Sequence, residues 1–147
     1  MSLDKAKELT KISEGLRLEA YQDTGGVWTI GYGWTHGVHQ GMTCTKAQAE
    51  AWLDQHYSQI IEQIHAVVKV ELNDNQLGAL CDFVYNLGIG QLKGSTLLKL
   101  LNAGDYDGAL SQFDRWVYDN GQRLPGLVTR RRREKELWLT GDFNASN

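Results

Sequence analysis

Seven of the chain's 16 glycines fall between positions 15 and 43: Gly15, Gly25, Gly26, Gly31, Gly33, Gly37 and Gly41. No other part of the 147-residue chain is so dense in them. Glycine at that spacing suits tight turns and short strands rather than helices. The stretch "EAYQDTGGVWTIGYG" also alternates β-branched and aromatic residues around Gly25-Gly26, which predicts a β-hairpin or small sheet. From Thr45 onward the apolar residues recur at helical spacing instead. A glycine-rich β segment set inside a helical chain restricts the fold to the α+β class: a small β-lobe, a larger helical lobe and a cleft between them.

The helical signals can be placed individually. Leu3, Ala6, Leu9 and Ile12 predict a first helix, with Ser2 able to cap its start and Gly15 standing where a C-terminal glycine would. Thr45 to Gln48 reads as a capping box that opens a long helix with the stripe Ala49, Trp52, Leu53, Ile60, Ile64 and Val68. Asn73 to Gln76 repeats the signature ahead of Leu77, Leu80, Cys81 and Val84, and "NLGIG" stops that helix. Ser95 opens another, ending near Gly104; Asp105 to about Val117 is next. Pro125, the sole proline, suits the first position of a last helix reaching about Leu139. No linker or repeat interrupts the chain. It is therefore read as one domain over 1–147, with a β-lobe at about 15–44 and a helical lobe at about 45–147, onto which the first helix packs.

Bulk properties exclude several functions. A net charge of −3 disfavours a nucleic-acid binder. His36, His39, His56 and His65 show no ligand spacing on one helix face, so no metal is expected. Cys44 and Cys81 are expected as free thiols. No window is apolar enough for a signal peptide or a membrane-inserted segment, so a soluble monomer is expected in the compartment of synthesis.

Three polar residues inside "SEGLRLEAYQDTGGVWTIGYG" carry the candidate chemistry: Glu14, Asp23 and Thr29. Glu14 falls in the last turn of the first helix, at the negative end of the macrodipole. Apolar and aromatic neighbours would desolvate it as well. Both effects favour the carboxylic acid over the carboxylate, and a general acid needs its proton. Asp23 sits in a polar turn beside Thr24 and Gly25 and should stay ionised. Thr29 can hold a water near it. Two carboxyls in contrasting environments form the acid-plus-base pattern of glycoside hydrolysis. By spacing alone the three also fit a solvated glutamate and an ordinary turn.

The string "EGLRLEAYQDTGGVWTIGYG" resembles the active-site segment of the phage-type lysozymes, the endolysin group related to the lysozyme of phage T4. Glu14, Asp23, Thr29 and the Gly31–Gly33 turn match that family's pattern position by position. "FVYNLGIG", "STLLKLLNAGDYDGAL", "FDRWV" and "LPGLVTRRRREKELWLTGD" resemble later family segments in the same order. The resemblance implies a lysozyme-like α+β fold and hydrolysis of the β-1,4 bond from N-acetylmuramic acid to N-acetylglucosamine in peptidoglycan. Glu14 would be the acid, and Asp23 would position water with help from Thr29. Inversion of the anomeric centre is implied, as are substrate contacts from Gly33, Tyr85, Asn86 and Ser95, with no metal or organic cofactor. The implied setting is the host cytoplasm, with a holin opening the route to the wall. Rival readings are a lytic transglycosylase and a non-catalytic wall-binding module.

Two features stand apart from that pattern. Trp34 occupies the place after "GYG" where many relatives carry histidine, and either stacks on sugar or packs the lobes together. The run Arg130–Arg133, followed by Glu134 and Glu136, is expected as a solvated, partly paired helix face. Alternatives for it are a polymer-binding patch, or an arginine at 130 or 131 that pairs with Glu14.

Overall fold

The computed structural model describes residues 3–146. A first helix, α1 (Asp4–Glu14), leads into an antiparallel hairpin of β1 (Arg17–Gln22) and β2 (Trp28–Gly31). The hairpin turns through Gly25-Gly26, where Gly26 has φ +81°. Residues 42–44 run along the other edge of β1, with Ala20 N–H donating to Met42 O and Cys44 N–H to Leu18 O, both at 2.9 Å. β1 therefore has hydrogen-bonded neighbours along both of its edges.

Helices follow: α2 (Lys46–Val67), α3 (Asp74–Leu87), α4 (Ile89–Lys93), α5 (Thr96–Asn102) and α6 (Tyr106–Gln112). A two-stranded ribbon, β3 (Tyr118–Asp119) and β4 (Gln122–Arg123), precedes the last helix, α7 (Pro125–Thr140). The mixed, helix-rich fold is the lysozyme-like α+β class. The core lies between α2, α3, α5, α6 and α7 and includes Leu53, Ile60, Ile64, Leu80, Phe83, Leu97, Phe113 and Trp138. α1 packs on α3 and α7 although the hairpin separates it from them in sequence. Lys7–Asp54 and Lys11–Glu50, each at 3.0 Å, also tie it to α2.

Several local details depart from the sequence reading. The Ser2 cap lies outside the described residues, and Leu3 at the α1 N-cap makes no side-chain cap bond. Ile12 does not join the core. It is 46% exposed, because the buried face of α1 runs through Ala6, Leu9 and Thr10 and the last turn opens beside the start of α7. Thr45 Oγ1 accepts from Gln48 N–H at 3.1 Å, but among the described residues only Asn73 and Gln76 close a reciprocal box, at 2.8 and 3.0 Å. The helix expected to reach Val117 stops at Gln112. A 3₁₀ turn follows it, and then the β3–β4 ribbon. That ribbon turns on Asn120 (φ +50°) and Gly121 (φ +78°), a dipeptide strongly suited to two-residue hairpins that the sequence reading passed over.

Candidate active site

Glu14 is the last residue of α1, and Gly15 (φ +76°) ends the helix there, so the carboxyl projects from the helix tip. Its Oε2 accepts from Arg130 Nη1 at 2.7 Å. Its Oε1 faces Gly33: a Cβ on that glycine would lie 3.1 Å from Oε1 and 3.9 Å from Tyr85 Cε1. Gly33 (φ +86°) therefore lets the β-lobe backbone come against the glutamate and the tyrosine together. Tyr85 OH donates a short hydrogen bond to Tyr32 O in the same turn.

Beneath Glu14 runs a chain of buried polar groups. Arg130 is 6% exposed; its Nε and Nη2 each donate to the fully buried Asp82 at 2.9 Å, in a bidentate pairing. Thr10 Oγ1 donates to Asp82 Oδ1 at 2.6 Å, which leaves Tyr57 OH, 2.7 Å away, as the donor to Thr10. Burial pushes the Asp82 carboxyl up. Arg130 and the hydrogen bonds from Glu134, Arg130 and Thr10 more than offset that and hold it at about 2. Burial likewise drives the Tyr57 hydroxyl well above its ordinary value, so it stays protonated as the outermost donor. One guanidinium thus ties Glu14, from α1, to Asp82, from α3.

Across the hairpin, Asp23 is exposed and held by its own turn. Its Oδ1 accepts from Gly25 N–H at 2.9 Å and Val27 N–H at 2.8 Å. Thr29 is buried in β2, and its hydroxyl donates to Val27 O at 2.9 Å. The same residue, Val27, is therefore bonded through its N–H to Asp23 and through its carbonyl to Thr29.

The expected substrate contacts divide. Gly33 and Tyr85 converge on Glu14. Asn86, next to Tyr85 near the end of α3, accepts at its Oδ1 from Arg131 Nη2 at 2.6 Å. Ser95 is 8% exposed; its hydroxyl donates to Leu92 O at 2.6 Å and accepts from Leu98 N–H at 3.0 Å, which is the work of an N-cap. Trp34 stacks in parallel on Trp52, centroids 5.8 Å apart, and its Nε1 donates to His36 O at 3.1 Å, so its ring packs the β-lobe against α2. The ring of His56 sits 4.4 Å from Tyr85, and burial lowers its basicity.

The arginine run corrects the expectation of a solvated face. Arg130 and Arg131 are buried and make inward contacts, Arg130 to Glu14. Arg132 follows the expectation, lying 3.4 Å from Glu136, while Arg133 donates to Asn144 O and Ala145 O. The reason is positional: two consecutive residues on α7 face α1 and α3, and the acids they meet come from distant sequence. Asp82, Thr10 and Tyr57 were not anticipated. A lone aspartate inside the apolar run "LGALCDFVY" was the signal available, since a buried acid needs a cation.

Glu14 lies where the first helix, the last helix and the β-lobe meet. A family model described as Phage lysozyme matches residues 11–134, and the chain belongs to the phage lysozyme family, a family of lysozyme-type cell-wall hydrolases. It is 45% identical over 139 residues to an endolysin of Acyrthosiphon pisum secondary endosymbiont phage 1, covering 92% of this chain and 95% of that one. Among solved structures it is similar to the muramidase domain of SpmX from Asticaccaulis excentricus, with TM-score 0.86, 37% identity and coverage of 92% and 95%. It is equally similar in fold to an endolysin from Escherichia coli O157:H7 phage FAHEc1, with TM-score 0.86, 33% identity and coverage of 98% and 97%.

Proposed function

We propose that this endolysin is an N-acetylmuramidase that hydrolyses the β-1,4 bond from N-acetylmuramic acid to N-acetylglucosamine, and that Glu14 is its general acid. The observation that carries this reading is the split environment of the Glu14 carboxyl. Oε2 is taken by a guanidinium, which can only donate, so the transferable proton belongs on Oε1, the oxygen beside Gly33. Asp23, with its Oδ1 occupied by two backbone N–H groups, has its second oxygen to orient the attacking water, and Thr29 supports it through Val27. Gly33, Tyr85 and Asn86 contact the glycan; the bonds made by Ser95 suit a role in shaping α5 beneath it. Attack by water on the face opposite the leaving oxygen inverts the anomeric centre.

Glu14→Gln tests the assignment. Glutamine keeps an acceptor for Arg130 but carries no acidic proton. Clearing of a cell-wall suspension should fall by a factor of about 10² to 10⁴ while wall binding and folding persist. A variant that clears walls normally would overturn the assignment.

We also read the chain as a single monomeric domain that reaches the wall from the host cytoplasm once a separate holin opens the membrane. Among the described residues no helix is long and apolar enough to cross a membrane. Expression alone should leave host cells intact, and co-expression with a holin should lyse them.

A further inference from the structure

Arg131 is fully buried on α7. Its Nη2 donates to Asn86 Oδ1 at 2.6 Å and Glu134 Oε2 at 3.0 Å, Nη1 donates to Trp116 O at 3.3 Å, and Nε lies 2.7 Å from Glu134 Oε1. The guanidinium also lies over the Phe83 ring, 5.3 Å from its centroid. Glu134 is itself fully buried, and burial pushes its carboxyl well up against the pull of Arg131. Taking an arginine and a glutamate out of water is costly, and apolar residues of similar volume commonly serve stability as well. The arrangement calls for a purpose other than stability.

Asn86 supplies one. It follows Tyr85, whose ring edge meets Gly33 beside Glu14. An unconstrained amide can present its oxygen or its nitrogen to a ligand. A guanidinium has no acceptor, so the oxygen of Asn86 must face Arg131 and its NH₂ must face away. We propose that Arg131, braced by Glu134, is a positioning residue that locks the Asn86 amide in one orientation, so that its NH₂ donates to a carbonyl or hydroxyl oxygen of the glycan. This rests on the proposed muramidase reading, in which Asn86 lines the cleft. The lock acts on ground-state binding and on register along the glycan rather than on proton transfer.

Asn86→Asp separates the two functions of the amide. The carboxylate keeps an acceptor for Arg131 and loses the outward donor. The thermal midpoint should not fall, KM for wall fragments should rise roughly tenfold, and kcat should stay within about twofold. In the double variant Arg131→Met/Glu134→Leu, the amide is released with both members of the ion pair removed, and Asp82, which loses the bond from Glu134, keeps those from Arg130 and Thr10. KM should rise there too, and adding Asn86→Ala should change it less than Asn86→Ala does alone. Binding of wall fragments by Glu14→Gln carrying Asn86→Asp reads the contact without turnover. Weakened binding supports the proposal; unchanged binding, or an unchanged KM in the folded double variant, overturns it. If the double variant does not fold, Arg131→Gln serves in its place: its amide can donate or accept, so the Asn86 orientation is no longer fixed, and an unchanged KM in that variant overturns the proposal. An active Glu14→Gln would instead remove the muramidase assignment, so the two failures are distinct.

Discussion

The helical lobe and the β-hairpin hold their acidic side chains by different means. Glu14 is fixed from below by Arg130, which is bonded to Asp82, then Thr10, then Tyr57, with contributions from α1, α2, α3 and α7. Asp23 is fixed by two backbone N–H groups within four residues of itself. One acid depends on the whole helical lobe being assembled; the other depends only on its turn. In the proposed mechanism the proton donor must be held at a bond, and a buried network gives that rigidity. The acid proposed to position water needs access to solvent, and an exposed turn gives it that.

Breaking the helical side should have the largest effect. Arg130→Leu strands the Asp82 carboxylate in the core and frees Glu14. Urea denaturation should show a loss of about 3–5 kcal/mol, and wall clearing should disappear with it. The β side should separate the two effects. Asp23→Asn retains an amide oxygen for Gly25 and Val27, so stability should stay within about 1 kcal/mol while clearing falls by a factor of about 10² or more. Equal destabilisation by the two changes would remove the contrast.

Acid should expose the same asymmetry at smaller size. The Asp82 carboxyl sits at about 2 in the fold against 3.8 ordinarily, so its contribution is present above pH about 4. As pH falls from about 4 toward 2 the unfolded state takes up the proton first, and roughly 2 kcal/mol of stability is lost. Denaturation midpoints across that window should drop in the native chain and flatten in Asp82→Asn.

This contrast also explains what could be read from the sequence. The hairpin, Gly15 as a helix end, the Asn73–Gln76 box and Pro125 at the start of α7 are local devices, and local devices leave local signatures. The turn around Asp23 is of that kind. The partners of Glu14 are not: Arg130 lies 116 residues away, and Asp82 was hidden among apolar neighbours. The helix end placed Glu14 correctly, and the alternative of an arginine at 130 or 131 pairing with it is met by Arg130, whereas the Asp82, Thr10 and Tyr57 behind that arginine left no local trace. Arg131 was read as surface for the same reason, since nothing near it in sequence announces Asn86 or the Trp116 carbonyl.

Digestion of purified peptidoglycan in heavy-oxygen water tests the central claim most directly, because the proposed mechanism has Asp23 position the attacking water. The account predicts muropeptides whose new reducing end is N-acetylmuramic acid carrying one heavy oxygen, first released as the inverted anomer. Products ending in unlabelled anhydromuramic acid would contradict it and identify a transglycosylase working through Glu14 alone.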